Sequence, residues 1–124
     1  MIYLDTSVAL AAVFAENRRP AASLWGAPLV SSRLLEYELT VRCNARGCPD
    51  AAAPVLARVS LVELAPAVLE RARAPFPVEV RTLDALHLST ALYLRAHGQN
   101  VRLASYDARM RLAAEAVGLP IWVE

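Results

Sequence analysis

Four acidic side chains are spaced so that their carboxylates can converge in the fold. Asp5 directly follows an apolar strand-like segment, and Asp84 and Asp107 stand where such segments pass into helices. Glu38 lies within a predicted helix, beside its apolar face. Clustered carboxylates repel one another when ionised, which raises their pKa values, and a bound divalent cation relieves this repulsion. Because oxygen ligands suit Mg²⁺ or Mn²⁺, which activate water beside a phosphate, the set predicts metal-dependent phosphodiester hydrolysis.

Alternatives stay open for several of these positions. Asp is a preferred helix N-cap, so Asp84 and Asp107 are also explained as residues that simply begin helices. Asp5 does not fit that explanation, because the two residues after it carry hydroxyls that can cap the helix instead. Glu36 competes with Glu38 for the place in the site, and helical periodicity does not decide between them.

The elements that must position these acids alternate between short apolar strands and amphipathic helices. Strands are predicted at 2–4, 29–30, 60–64, 78–81, 101–105 and 121–123. Helices are predicted from 7 to about 15 and at 20–25, 33–46, 50–59, 66–74, 83–97 and 107–117. This alternation favours an α/β fold with a mostly parallel sheet covered on both faces. In such a sheet, ligands bind at the carboxyl ends of the strands.

Length and composition exclude several classes of protein. The 124 residues predict one domain, 1–124, and a hydrophobic fraction of 56% excludes a disordered chain. All 13 basic residues are arginine, which excludes mechanisms that need a lysine, such as P-loop nucleotide hydrolysis and Schiff-base chemistry. The formal net charge of +1 indicates that any contact with nucleic acid depends on a local basic patch.

The sequence also predicts a compartment. Asp5 stands where a signal peptide would carry positive charge, and the longest charge-free stretch, 20–32, is too short and too broken to cross a bilayer. Cys43 and Cys48 lack the second pair that a zinc site needs. They are interpreted as free thiols in a reducing cytosol, with a strained local disulfide as the alternative. We therefore expect a cytoplasmic protein without membrane contact.

Four segments of the chain resemble the sequence blocks of PIN domains, especially the VapC-type ribonuclease toxins. They are IYLDTS at 2–7, SSRLLEYEL at 31–39, RTLDALHLSTA at 81–91 and SYD at 105–107. Their order and spacing fit the family over essentially the whole chain, and the third block is the most specific. The region 51–77 matches nothing specific. In the second block of the family the acid is followed by an apolar residue, which fits Glu38 better than Glu36.

The resemblance implies an α/β/α sandwich with a mostly parallel central sheet and a Mg²⁺- or Mn²⁺-dependent endoribonuclease activity. The residues that correspond to the catalytic, metal-binding acids of the family are Asp5, Glu38, Asp84 and Asp107. Two hydroxyl residues, Thr6 and Ser105, correspond to accessory groups near the metal or the phosphate. Three further residues are candidates for RNA contact: His87, Arg42 and Arg46. For these three, a packed histidine and solvated surface arginines are the alternatives.

The resemblance also implies partners. Toxins of this family cut structured RNA to leave a 5′-phosphate and a 3′-hydroxyl, are inhibited by a small antitoxin protein, and usually form homodimers. Two other functions stay open from the sequence alone. A PIN-like fold can serve as a non-catalytic binding or scaffold module, and the same acidic site can cut DNA. Other phosphoryl-transfer folds of the α/β class need a lysine near the acids, and this chain has none.

Overall fold

A computed structural model describes residues 1–14 and 18–124 and shows a parallel sheet with helices packed on both faces. The strands are β1 (Ile2–Leu4), β2 (Leu29–Ser32), β3 (Val59–Val62) and β4 (Arg102–Ala104). The helices are α1 (Thr6–Phe14), α2 (Ala22–Trp25), α3 (Arg33–Ala45), α4 (Ala53–Leu56), α5 (Pro66–Arg73), α6 (Thr82–Ala96) and α7 (Ala108–Ala116). A single 3₁₀ turn, Pro49–Ala51, lies between α3 and α4.

The order of the strands creates a crevice at one edge of the sheet. The strands are arranged β3-β2-β1-β4, and every neighbouring pair is parallel. The chain runs outward from β1 through β2 to β3, then crosses to the other side of β1 to form β4. The winding direction therefore changes between β1 and β4. Ligands of open α/β sheets bind at the carboxyl ends of the strands beside such a change.

Two apolar cores lie on opposite faces of the sheet, because successive residues of a strand point to opposite sides. Ile2 and Leu4 of β1 pack into one core, together with Leu35 of α3. Tyr3, between them, packs into the other core with Leu88 of α6. The α/β/α sandwich with a parallel central sheet is thus confirmed, and β1 is buried on both sides.

Three of the predicted elements are wrong in form or extent. The helix expected at 50–59 is instead a 3₁₀ turn followed by the four residues of α4. Pro54 explains the break, because proline has no N–H to donate to the preceding turn. The segment 78–81 forms no strand, and at 121–123 only Ile121 makes a β-bridge, with Leu103.

The predicted ends of the longer helices are confirmed where glycine follows. Gly47, Gly98 and Gly118 come directly after the last turns of α3, α6 and α7, and each has a positive φ, between 71° and 87°. Glycine adopts this backbone conformation without the steric cost that a Cβ atom brings. The predicted end of the first helix, at about Ala15, lies outside the described residues.

One cysteine belongs to α3 and the other follows that helix. Cys43 is buried on α3 and Cys48 is partly buried after it, and both carry free thiols. Burial raises the pKa of the Cys43 thiol, and the neighbouring Cys48 adds to this effect.

Within residues 1–14 and 18–124, the structure contains no helix whose length and apolar character would suit a bilayer crossing.

Truncating the core of the sheet should destabilise the fold strongly. Leu103 of β4 is fully buried, so Leu103→Ala is expected to lower the free energy of unfolding by about 2–5 kcal/mol, through lost apolar contact and the cavity left behind. Leu112 of α7 is 58% exposed and provides a matched control, because Leu112→Ala should change stability by only about 0.5 kcal/mol or less. Urea denaturation of both variants measures the difference, and equal effects would contradict this placement of β4.

Candidate functional site

The predicted acids line one pocket at the carboxyl edge of the sheet. Asp5 leaves β1, and Asp107 follows β4 by three residues. Glu38 reaches the same pocket from α3, and Asp84 reaches it from the first turn of α6. The full lining is Asp5, Thr6, Ser7, Leu10, Tyr37, Glu38, Val41, Arg42, Arg81, Thr82, Leu83, Asp84 and Asp107. The four acids predicted from the sequence are therefore brought together from four separate elements.

Asp5 is held by two serine hydroxyls. Its side chain is buried, and its Oδ2 accepts hydrogen bonds from Ser7 Oγ at 2.7 Å and Ser105 Oγ at 2.8 Å. The two hydroxyls are themselves fixed: Ser7 Oγ accepts from the Tyr106 backbone N–H, and Ser105 Oγ accepts from the Asp107 backbone N–H, each at 3.0 Å. The carboxylate therefore has a set orientation at the end of β1.

Glu38 is held by a chain of hydrogen bonds that reaches the centre of the fold. Its Oε1 accepts from Thr6 Oγ1 at 2.8 Å and pairs with His87 Nε2 at 2.7 Å. Because a carboxylate only accepts, His87 Nε2 bears the proton, and Nδ1 is left to pair with the Tyr3 hydroxyl at 2.7 Å. His87 and Tyr3 are both buried, so the chain fixes the direction in which Glu38 points.

The same contacts set the charge state of Glu38. Partial burial acts to raise the pKa of its carboxyl, but the hydrogen bond from His87, the attraction to that ring and the bond from Thr6 outweigh burial. The net effect holds the pKa of Glu38 below its usual value. These contacts therefore favour the ionised form of Glu38, which is the form that can bind a metal ion.

The structure distinguishes between the two glutamates of α3. Glu38 lines the pocket, whereas Glu36 pairs with Arg33 at 3.4 Å on the outer surface, where both side chains are 45% exposed. The two residues lie on different faces of α3, because positions two apart on a helix do not point the same way.

Asp107 caps a helix and also lines the pocket. Its Oδ1 caps α7 by accepting from the Arg109 N–H at 2.9 Å, with the Met110 N–H at 3.5 Å. Its other oxygen, Oδ2, faces the pocket and accepts a hydrogen bond from Arg81 Nη2. Helix capping thus takes one oxygen of this carboxylate and leaves the other for the site.

Asp84 is not the N-cap of α6, since that position belongs to Arg81. Burial raises the pKa of the Asp84 carboxyl, the hydrogen bond and charge of Arg81 lower it, and the nearby Asp5 and Asp107 raise it further. The net shift is upward. Burial, with a smaller contribution from the two neighbouring carboxylates, therefore outweighs the effect of Arg81 on the pKa of Asp84.

These residues fit a hard divalent cation by their chemistry. All four acids offer oxygen ligands, hydroxyls stand beside them, and a cation would relieve the repulsion that acts on Asp84. In the described part of the chain, however, no three Asp, Glu, His or Cys side chains already converge on one point that could hold an ion. The carboxylates are instead bonded to Arg81, to the two serines and to His87.

The three candidates for RNA contact occupy different places. His87 is 1% exposed and both ring nitrogens are engaged inside the fold, which matches the packed alternative. Arg42 is exposed and lines the pocket, where its charge contributes to the lowered pKa of Glu38. Arg46 lies outside the pocket lining, with its guanidinium 4.2 Å from the centre of the Phe14 ring.

Three residues of the site were not identified from the sequence. Ser7 orients Asp5, Tyr3 completes the hydrogen-bond chain to Glu38, and Arg81 joins Asp84 to Asp107. A signal for Arg81 was present, because it precedes Asp84 by three residues at a helix start, and residues with this spacing are neighbours on a helix surface. No local pattern indicates the role of Tyr3, which depends on how β1 packs against α6.

Comparison with known proteins finds relatives over nearly the whole chain. A family model described as the PIN domain matches residues 2–116. Ribonuclease VapC46 of Mycobacterium tuberculosis is 35% identical over 126 residues, which cover 97% of this chain and 95% of that protein.

Solved structures show the same fold. The crystal structure of VapC20 from Mycobacterium tuberculosis, a toxin that cleaves the sarcin–ricin loop, superposes with a TM-score of 0.72 and 21% identity over 100% of both chains. A toxin–antitoxin complex from Klebsiella pneumoniae contains a chain that matches with a TM-score of 0.71 and 17% identity, over 94% of each chain. Identities this low establish similarity of fold, whereas the sequence match to VapC46 establishes kinship.

Proposed function

This chain belongs to the PIN domain family and to its VapC branch, and on that basis we propose that it is a metal-dependent endoribonuclease, the toxin of a toxin–antitoxin pair. The observation that supports this most strongly is the pocket at the end of β1 and β4, which is lined by Asp5, Glu38, Asp84 and Asp107. Kinship with curated ribonucleases supplies the class of substrate, and the pocket supplies groups able to act on it.

The four acids are proposed to bind Mg²⁺, with Mn²⁺ as the alternative. Such a cation would activate water for attack on a phosphodiester and neutralise charge on the leaving oxygen. The chain itself would position its ligands: Ser7 and Ser105 orient Asp5, while Thr6 and His87 orient Glu38. Prior orientation matters because a ligand that is already held in place loses little conformational entropy on binding.

The substrate is proposed to be structured RNA, held beside the pocket by arginine. Arg42 lines the pocket and is exposed, so it can meet a phosphate oxygen without a change of fold. A guanidinium suits this role because it is always charged and can donate two parallel hydrogen bonds to a phosphate. Action on cellular RNA would place the protein in the cytoplasm.

The partners are proposed by kinship. One of the structural neighbours is a toxin–antitoxin complex, which supports a small antitoxin as the inhibitor of this chain. The homodimer expected from the family stays a prediction, and analytical ultracentrifugation of the antitoxin-free protein measures it directly.

Purified antitoxin-free protein is expected to cut total RNA at discrete positions in the presence of Mn²⁺ or Mg²⁺ and to stop when EDTA is added. The reason is that the pocket carboxylates alone supply neither an activated water nor a positive charge for the phosphate. The RNA should include intact ribosomal RNA, because the related toxin VapC20 cleaves its sarcin–ricin loop. Sequencing of the new ends measures the cuts and identifies a 5′-phosphate.

Three results would contradict the proposal, and each points to a different alternative. Cutting that persists in EDTA would exclude a metal-dependent site. Cutting of single-stranded or duplex DNA at the same rate as RNA would favour a DNA-directed nuclease. Failure of a folded, Mn²⁺-bound protein to cut any RNA would favour a non-catalytic binding module. Circular dichroism before the assay confirms that the protein is folded.

A further inference from the structure

We propose that Arg81 has two positions: without metal it neutralises Asp84 and Asp107, and with metal it releases them and binds a phosphate of the substrate. This inference rests on the proposed function, since it concerns the same pocket. It assigns the arginine a role in binding substrate and explains how the acids are kept together before a cation arrives.

Arg81 bridges two acids that come from different parts of the chain. Its Nε donates to Asp84 Oδ2 at 3.0 Å, and its Nη2 donates to Asp107 Oδ2. Asp84 belongs to the first turn of α6, whereas Asp107 caps α7. One guanidinium thus joins two helix starts across the pocket, which a single point charge on a shorter side chain cannot do.

Arg81 occupies one carboxylate oxygen on each of two acids, and each of these oxygens could otherwise bind a cation. Asp107 Oδ1 is already committed to capping α7, so Oδ2 is its remaining oxygen toward the pocket. Asp84 also gives Arg81 its Oδ2. A guanidinium and a divalent cation on the same pair of oxygens repel each other, and the two therefore compete.

Arg81 is held loosely enough to leave. Its side chain is 60% exposed, whereas those of Asp84 and Asp107 are 18% and 24% exposed. Ion pairs with an exposed partner are weak, because water solvates the freed charge well. The backbone of Arg81 stays in place during this exchange, since its carbonyl accepts the first hydrogen bond of α6 from the Ala85 N–H at 2.9 Å.

A released guanidinium remains beside the pocket. Its position at the N-cap of α6 ties it to the rim that also carries Thr82 and Leu83. A substrate phosphate that enters to meet the cation brings negative charge next to this arginine. The cation would therefore take the place of Arg81 on the two acids, and the phosphate would become the new partner of the guanidinium.

The test uses the full chain as wild type, Arg81→Ala and Arg102→Ala. Arg102 is an exposed arginine at the amino end of β4, on the opposite edge of the sheet, so its variant controls for the loss of one positive charge. Calorimetric titration with MnCl₂ in the absence of RNA should show that Arg81→Ala binds Mn²⁺ about threefold to tenfold more tightly than wild type. Arg102→Ala should match wild type.

The second measurement is cleavage kinetics at saturating Mn²⁺, with an end-labelled RNA oligonucleotide that spans a site cut in total RNA. Arg81→Ala should raise KM about threefold to tenfold and change kcat by no more than about twofold. Tighter metal binding combined with weaker substrate binding is a pair of opposite effects that general damage to the fold does not produce. Arg81→Lys keeps the charge but cannot bridge both acids. Its Mn²⁺ affinity and its KM should therefore lie between those of wild type and Arg81→Ala.

The outcomes separate this inference from the proposed function. If wild type and Arg81→Ala bind Mn²⁺ equally well, or the variant binds it more weakly, Arg81 does not compete with the metal. An unchanged KM would exclude the contact with phosphate. A wild-type protein that binds no Mn²⁺ would overturn the metal-dependent function itself, and the inference with it.

Discussion

Asp5→Asn is expected to reduce RNA cleavage at least about a hundredfold while the fold stays intact. The amide oxygen of Asn has the same position as Asp5 Oδ2 and can still accept hydrogen bonds from Ser7 and Ser105. What the substitution removes is the negative charge that the proposed divalent cation would require at the end of β1. The loss should therefore appear in the rate at saturating Mn²⁺, measured on the same RNA as for wild type.

The fold of the Asp5→Asn variant should be as stable as wild type or slightly more stable. The negative charge of Asp5 raises the pKa of Asp84, which means that the two carboxylates repel each other in the metal-free protein. Asp50→Asn provides the matched control, because Asp50 is an exposed carboxylate in the 3₁₀ turn and does not line the pocket. Asp5→Asn with the cleavage rate of wild type or of this control would exclude Asp5 from the site.

His87→Ala is expected to lower the free energy of unfolding by about 2–5 kcal/mol and to impair cleavage as well. The histidine is buried between the hydroxyl of Tyr3 and the carboxylate of Glu38, so its removal leaves a cavity and two polar groups without their partner. Tyr3 is fully buried, so no water replaces the hydrogen bond that its hydroxyl loses, whereas Glu38 lines the pocket and keeps its bond from Thr6. Thermal and urea denaturation measure the change in stability.

Two comparison variants separate the structural effect from the effect on the site. His97 is exposed at the end of α6, and His97→Ala should change stability by about 0.5 kcal/mol or less. Tyr3→Phe removes only the hydroxyl at the far end of the hydrogen-bond chain. The variant should therefore be less stable, while His87 still holds Glu38. Equal stability of the two histidine variants would contradict the buried position of His87. Equal loss of cleavage in Tyr3→Phe and His87→Ala would show that the effect on activity is only a loss of folded protein.

The sequence by itself predicted the class of fold and the acids that line the pocket. Strands and amphipathic helices can be recognised from neighbouring residues, because apolar side chains repeat every two residues in a half-buried strand and every 3.6 residues in a helix. The polar residue that ends an apolar strand is visible in the same way. This local pattern therefore predicts Asp5 and Asp107 at the carboxyl edge of a parallel sheet without any knowledge of tertiary contacts. The longest elements, α3 and α6, were also predicted with ends within about two residues.

The tertiary structure alone decided what each carboxylate oxygen bonds to, and its contacts show which glutamate of α3 faces the pocket. The rotation of α3 against the sheet selects Glu38 over Glu36, and the division of Asp107 between helix cap and pocket depends on Arg81, 26 residues away in the chain. The contacts of His87 with Tyr3 and Glu38 likewise join β1, α3 and α6. Such contacts depend on the order of the strands and the rotation of the helices, and both are set by the packing of the whole core. No local sequence pattern therefore predicts them.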